Sequence, residues 1–334
     1  MNGKNDQKTE YLDLLRWLAI GMVVLLHVAS GIVDTIPGQM TAKEQTMYEL
    51  VKNVMTVGVP IFLMISGSLF LDPKKEIGIQ RMLTHYVLRI VVVLFLFGVP
   101  YAVMELIVQE GGFAPMMLIR GFFLTLSGNT WAHMWYLYEL VGIYLLTPFI
   151  KAVIHYGGKC LLEYGLALSF LFFSILPLVE RVLGIHVGLV YQLNGIYLFY
   201  YVLGYYLHSY GTMDWKWCAG LFVILEGVIC ANRIMGFQMD IQYHAPIIVV
   251  ASASLFLLFR NLKKENACLS KRRYLCFGIY LIHTLFLNAF YKAFHFTPLA
   301  FGAAGILLFW ILVFGLSILA SEMMHRMPVL KKFI

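Results

Sequence analysis

The first residues that suggest chemistry are an arginine and a histidine inside one long apolar segment, which runs from about residue 12 to residue 33. Arg16 and His27 stand 11 positions apart in it. An α-helix with about 100° and 1.5 Å per residue places them on nearly one face, roughly 16 Å apart along the axis. Ionisable groups inside an apolar span are rare and mark functional sites by default. The plainer alternatives are an arginine that snorkels to the membrane surface and a histidine that is packed and hydrogen-bonded.

The position of the two residues along the segment gives each a different environment. Arg16 lies close to the beginning of the segment and therefore near one membrane surface, whereas His27 lies past the midplane. Histidine titrates near neutral pH and can take a proton from a hydroxyl nucleophile. Because burial disfavours the imidazolium, we expect His27 to be neutral and able to act as a base.

Other polar residues enter apolar segments further along the chain. His283 falls in the middle of a later segment, and Glu139 follows Tyr136 about one turn inside another. Carboxylates and histidines at such depth usually have a partner or a catalytic role. Arg81 lies just before the third segment and Arg89 at its start, and both can bind phosphate groups bidentately. The alternatives are an aromatic belt at the interface for the tyrosine and solvated membrane anchors for the two arginines.

Composition places most of the chain in a lipid bilayer. Of its 334 residues, 60% are hydrophobic and 13% are charged, against about 25% charged in a typical soluble domain. The net charge of +7 lies in short loops, so we interpret it as membrane orientation and not as nucleic-acid binding. The five cysteines form no C-x-x-C pair, and no metal site is predicted.

Ten apolar segments are long enough to be membrane spans. With the N-terminus inside, the inner loops hold about three times as many lysines and arginines as the outer loops, which favours cytoplasmic N and C termini. The stretch 116–126 is too short to span and is interpreted as interfacial or re-entrant. The sequence therefore predicts an all-α polytopic membrane protein with a single domain over residues 1–334. The predicted spans are 12–33, 50–70, 84–108, 134–153, 161–182, 189–208, 215–235, 243–260, 274–294 and 300–320.

The ordered motifs resemble those of the acyltransferase-3 family of membrane O-acyltransferases. Arg16 and His27 match its opening signature, an arginine and a histidine with ten residues between them. Further segments resemble the later motifs of the family in the expected order, over nearly the whole chain: residues 60–67, 89–90, 133–137 with 144–148, 200–207 and 278–283. The chain is most similar to the short stand-alone bacterial members, including the type named for acetylation of enterobacterial common antigen.

This resemblance implies a ten-helix acetyltransferase in the inner membrane. Acetyl would pass from cytosolic acetyl-CoA, without a metal, to a hydroxyl group of a cell-surface glycan or lipid-linked sugar outside. Arg16 and His27 would be the signature pair, with Arg81 and Arg89 as further ligands of the CoA phosphates. His27 would act as base, and a tyrosine (Tyr136 or Tyr138) or His283 would stabilise the oxyanion. Glu139 completes the predicted catalytic set.

Two other functions stay open at this point, and so does one mechanism. A secondary transporter of a small polar solute also has buried ionisable groups and many spans, although the sequence has no inverted repeat. A membrane scaffold or sensor would not need Arg16 and His27 on one helix face. Within the acyltransferase interpretation, a covalent acyl group on His27 is an alternative to direct transfer.

Overall fold

The computed structural model describes residues 10–35, 38, 40–75, 77–185, 195–237, 239–262 and 266–334. The regular structure in these ranges is helical, with no strand. Twelve helices of eight or more residues are labelled α1 (Glu10–Thr35), α2 (Ala42–Met55), α3 (Gly58–Phe70), α4 (Leu88–Glu110), α5 (Met116–Leu126), α6 (Trp135–Phe170), α7 (Leu176–Leu183), α8 (Ile196–Tyr210), α9 (Trp215–Ile234), α10 (Pro246–Leu262), α11 (Leu275–Asn288) and α12 (Gly305–Arg326).

Shorter helical pieces adjoin several of these helices. Three are π-helical turns: Met82–Val87 before α4, Leu171–Ile175 between α6 and α7, and Ala289–Ala293 after α11. The remaining short pieces are Ile79–Arg81, Ala132–Met134, Ala267–Lys271, Pro298–Ala304 and Pro328–Lys331.

Within the described ranges, seven helical runs are long and apolar enough to cross a membrane, which confirms a membrane protein with several spans. They are Glu10–Val33, Ala42–Phe70, Ile79–Glu110, Ala132–Leu183, Trp215–Ile234, Leu275–Ala293 and Gly305–Arg326. The fourth run has 52 residues and contains the predicted fourth and fifth spans. Gly158 interrupts it with φ 62° and ψ −164°, a conformation that glycine adopts more readily than other residues.

Two other predicted spans coincide with shorter helices. The eighth corresponds to α10, which has 17 residues. The sixth, 189–208, overlaps α8, and its first residues, 189–194, lie outside the described part of the chain. The number of ten spans and the cytoplasmic location of both termini therefore stay predictions.

The chain forms two compact units. Unit 1 comprises Met1–Asp72 and Gly157–Ser321, and unit 2 comprises Pro73–Tyr156 and Glu322–Ile334. Unit 1 contains α1 to α3, α7 to α11 and most of α12. Unit 2 contains α4, α5 and the first part of α6.

A close crossing of α3 and α8 holds the centre of unit 1 together. A Cβ atom on Gly67 would overlap the backbone of Tyr201, and one on Gly204 would overlap the backbone of Met64. The Ser68 hydroxyl donates to the carbonyl oxygens of Met64 and Gly204, at 2.8 and 2.9 Å. Small residues let helix backbones approach in this way, and buried hydroxyls join them.

In unit 2, α5 packs along α4. Val103 and Leu106 of α4 form a buried cluster with Met117 of α5. A Cβ atom on Gly121 would lie 3.2 Å from the carbonyl oxygen of Val99, so the two helices touch closely there. With 11 residues, α5 is shorter than the roughly 20 residues that a span needs.

Candidate active site

Helix α1 positions Arg16 and His27. It is helical from Glu10 to Thr35, so Arg16 and His27 lie on nearly one face and roughly 16 Å apart along the axis. Between them, the Trp310 indole donates a 2.9 Å hydrogen bond to the carbonyl oxygen of Gly21. This contact fixes α12 against the middle of α1. We call the two ends of unit 1 the Arg16 end and the His27 end.

A buried carboxylate organises the Arg16 end. Asp13 is 4% exposed and accepts from Arg16 at 2.7 Å through Oδ1 and from Arg273 at 3.1 Å through Oδ2. The Arg16 side chain is 20% exposed and that of Arg273 is 62% exposed. One carboxylate therefore orients two guanidinium groups, and both keep exposed surface. Two arginines held together at a membrane surface are suited to phosphate groups.

Two further side chains, Trp17 and Arg260, hold neighbouring segments of unit 1 in place. The Trp17 indole donates to the carbonyl oxygen of Leu269 at 3.0 Å, which ties the segment before α11 to α1. Arg260 donates to the carbonyl oxygens of His208 at 2.9 Å and Gly211 at 2.5 Å. Arg260 thus holds the C-terminal end of α8.

At the other end of α1, two imidazole rings meet. The centroids of His27 and His283 are 5.0 Å apart, and the ring planes are inclined at 63°. His283 is fully buried, whereas His27 is partly exposed. Helix α11 therefore brings one predicted site residue directly against another. The sequence placed both in the membrane but did not indicate that they touch.

The hydrogen bonds of the two rings define their tautomers. His27 Nδ1 lies 2.8 Å from the carbonyl oxygen of Val23, and His283 Nδ1 lies 2.8 Å from that of Tyr280. A carbonyl oxygen only accepts, so each Nδ1 carries the proton. In a neutral imidazole the lone pair then lies on Nε2, which can take up a proton.

This tautomer bears on the predicted oxyanion role of His283. A neutral His283 has already used its N–H on its own helix, so it donates to an oxyanion only after Nε2 is protonated. The hydrogen bond of His283 Nδ1 therefore suits this ring to accept a proton beside His27, and not to donate a hydrogen bond to an oxyanion while it is neutral.

Unit 2 contains the other predicted site residues, and its contacts give Arg89 a structural partner. Its guanidinium donates to the carbonyl oxygens of Phe333 at 2.7 Å and Ile334 at 2.8 Å. Arg89 thereby fastens the last residues of the chain to the beginning of α4. Arg81 is exposed in the short helical piece before the π-helical turn. Their roles as CoA ligands stay predictions.

Glu139 and Tyr136 lie near the beginning of α6, and both are partly buried. The neighbouring Tyr138 hydroxyl donates to the backbone carbonyl of Thr125 at the end of α5. The Tyr136 ring lies against Trp135, with centroids 6.0 Å apart. Tyr138 is thus engaged within unit 2, and the catalytic roles of Glu139 and Tyr136 stay predictions.

An aromatic cluster precedes α6 and surrounds the histidine of the same motif. Tyr101 and Trp131 stack with centroids 4.1 Å apart and ring planes inclined at 7°. His133 is 3% exposed and its ring lies 5.8 Å from that of Tyr101. This part of the sequence motif therefore packs α4 against the start of α6.

The comparison with known families decides the class of the protein. The model of the acyltransferase domain of the acyltransferase-3 family matches residues 9–323. The chain belongs to this family. The match runs through both units and includes Arg16, His27 and His283. No curated protein and no solved structure matches the chain.

Membership of the acyltransferase-3 family and the apolar helices together define a multi-pass membrane acyltransferase. The resemblance at the level of the family is thus confirmed. Sequence reasoning missed two residues of the Arg16 end. Asp13 carried a signal, since it stands three positions before Arg16, the spacing of helix neighbours. Arg273 carried no such signal in the sequence, because only the tertiary fold brings it to Asp13.

Proposed function

We propose that this acyltransferase moves an acetyl group from cytosolic acetyl-CoA to a hydroxyl group of an extracytoplasmic glycan or lipid-linked sugar. The observation that carries the proposal is the pair of polar sites on α1. An arginine pair lies at one end and an imidazole pair at the other. A membrane transferase of this kind needs a donor site at one surface and a base closer to the other.

The donor site of this proposal is the Arg16 end. Arg16 and Arg273 supply two permanent positive charges held by Asp13, and guanidinium groups bind phosphate oxygens bidentately. The CoA phosphates bind there, and the pantetheine arm extends along α1. The roughly 16 Å between Arg16 and His27 suits the length of that arm. Arg81 and Arg89 are further proposed ligands of the phosphates.

The acetyl transfer takes place at His27. Its Nε2 removes the proton of the acceptor hydroxyl while the oxygen forms a bond to the thioester carbonyl carbon. The carbon–sulfur bond then breaks, and the CoA thiolate leaves and takes the proton from His27. One ester forms, one thioester is consumed, and both imidazoles return to the neutral state. His283 beside His27 shares the proton during this sequence.

The test is transfer of labelled acetyl by purified protein in nanodiscs, with crude envelope glycan as acceptor. Wild type is compared with His27→Gln, which keeps a polar side chain but has no basic nitrogen. We expect wild type to transfer the label. The transfer rate of His27→Gln should be lower by a factor of about 10²–10⁴. Absence of acetyl-CoA binding and turnover in folded wild-type protein would favour the transporter alternative instead.

A further inference from the structure

A pocket in unit 1 has neither His27 nor His283 in its walls. It has a volume of about 620 Å³, within the range of small-molecule sites. The walls are formed mainly by apolar side chains of α7 and of the segment between α9 and α10: Pro177, Leu178, Val182, Phe237, Met239 and Ile247. Such walls suit an alkyl chain or the apolar face of a ring.

One corner of this pocket is polar. Asp240 accepts from Arg181 at 3.2 Å and from His244 Nε2 at 3.0 Å, and both contacts use Oδ2. Among the described residues, Oδ1 of Asp240 therefore has no partner and can accept a hydrogen bond from a ligand. Because His244 Nε2 donates to the carboxylate, the neutral ring carries its lone pair on Nδ1. The corner thus offers two acceptor atoms, Asp240 Oδ1 and His244 Nδ1, and the latter points away from the carboxylate.

Backbone contacts hold this corner in place. The Ser174 hydroxyl, in the π-helical turn before α7, donates to the carbonyl oxygen of His244 at 2.6 Å. The Tyr200 hydroxyl donates to that of Tyr243 at 2.7 Å. The backbone N–H of Met239 donates to Asn232 at 3.0 Å. The segment that carries Asp240 and His244 is thereby anchored on three helices, as a preorganised binding site requires.

The pocket lies at the His27 end of unit 1. Helix α2 follows directly after the His27 end of α1, and Glu49 of α2 forms an ion pair with Arg233 near the end of α9. The segment with Asp240 begins a few residues after Arg233. The polar corner therefore lies at the end opposite to Asp13 and Arg16, where the proposed acceptor arrives.

The chemistry of the corner selects its ligand. Two acceptors that face different directions suit a molecule with several hydroxyl donors, and a sugar ring supplies them. The opposite charges of Asp240 and Arg181 offset each other, so this ion pair gives no net attraction for an anion or a cation. The apolar walls favour a sugar that carries an apolar tail.

We propose that the Arg181–Asp240–His244 pocket binds an uncharged, tailed sugar, with its hydroxyl groups on Asp240 and His244 and its tail along α7. This inference rests on the proposed function in one respect, since it assigns the bound sugar as the acyl acceptor. Binding itself is measured without any transfer reaction.

The experiment uses full-length protein in nanodiscs and a hexyl β-glucoside whose alkyl chain carries a diazirine. After irradiation, labelled peptides are identified by mass spectrometry, with unlabelled hexyl β-glucoside and hexyl phosphate as competitors. Asp240→Ala and His244→Ala each remove one acceptor. Val182→Trp fills the apolar side and leaves the ion pairs in place. Glu180→Ala on α7 and the exposed His155→Ala are the matched controls.

We expect label on residues 176–183 or 235–247, competed by the glucoside and not by the phosphate. Loss of one hydrogen bond to a charged group weakens binding about tenfold or more, so Asp240→Ala should need correspondingly more competitor. His244→Ala removes a neutral acceptor and should need a smaller increase. Val182→Trp should lose the label, while both controls keep it. Folding of each variant is checked by size-exclusion chromatography. If Asp240→Ala and His244→Ala do not fold, the labelling of Val182→Trp tests the inference.

Two results would overturn the inference: label that appears only elsewhere, or equal competition in wild type, Asp240→Ala and Val182→Trp. Acetyl transfer to glycan is measured in parallel on the same samples. If the pocket binds the glucoside but wild type transfers no acetyl, the proposed function fails and the binding site stands. If transfer proceeds normally in variants and the pocket takes no label, the inference alone fails.

Discussion

The imidazole rings of His27 and His283 lie edge to face with centroids 5.0 Å apart, on helices α1 and α11. Each ring donates from Nδ1 to a carbonyl oxygen of its own helix. The lone pair of each neutral ring therefore lies on Nε2. The proposed mechanism uses this pair to hold the one proton that leaves the acceptor hydroxyl.

The first prediction follows from that pairing. His27→Gln should lose about 10²–10⁴-fold of the acetyl-transfer rate, and His283→Gln should lose less. If the two rings share one proton, the double variant should be little worse than His27→Gln alone, because residues that act as a unit are not additive. Rates of labelled-acetyl transfer in nanodiscs measure all three.

The matched control for the histidine pair is His155→Gln, since His155 is exposed in unit 2. It should transfer acetyl at the wild-type rate. Independent, additive losses in the double variant would contradict a shared proton and would leave His283 as a packing residue.

The second prediction concerns Asp13, which we assign as a positioning residue for Arg16 and Arg273. Asp13→Asn removes the charge that orients both guanidinium groups. We expect the KM for acetyl-CoA to rise about tenfold, by loss of charge-assisted contacts, while kcat changes little. Arg273→Gln should raise KM in the same way, and combining it with Asp13→Asn should add little. A fall in kcat at unchanged KM would show that Asp13 does not act through donor binding.

The third prediction separates two roles of Arg89. Arg89 donates to the carbonyl oxygens of Phe333 and Ile334, so Arg89→Ala and deletion of these two residues both remove these two hydrogen bonds. Both should lower the melting temperature, and the combined variant should lose less than the sum of the two single losses, because the hydrogen bonds are shared. The comparison of acetyl-CoA KM values then tests the sequence-based role. A KM that rises in Arg89→Ala but not in the deletion would make Arg89 a CoA ligand.

Hydropathy predicted most of the helices, because a membrane span requires a long apolar segment and leaves a clear signal. The shared face of Arg16 and His27 was also predictable, since both belong to one helix. The contact of His27 with His283 and the approach of Arg273 to Asp13 were not, because both join helices that are distant in sequence. The polar corner around Asp240 was likewise missed, since Arg181, Asp240 and His244 lie near helix ends and resemble ordinary loop residues.

The fourth prediction tests the crossing of α3 and α8 that supports α1. A Cβ atom on Gly67 would overlap the backbone of Tyr201, and one on Gly204 would overlap that of Met64. Gly67→Ala and Gly204→Ala should therefore each force the helices apart and destabilise the protein by about 1–3 kcal/mol. Gly220→Ala in α9 is the control, because a Cβ atom there meets nothing within 4 Å. Thermal unfolding in detergent measures all three, and wild-type stability of Gly67→Ala and Gly204→Ala would show that α3 and α8 do not cross this closely.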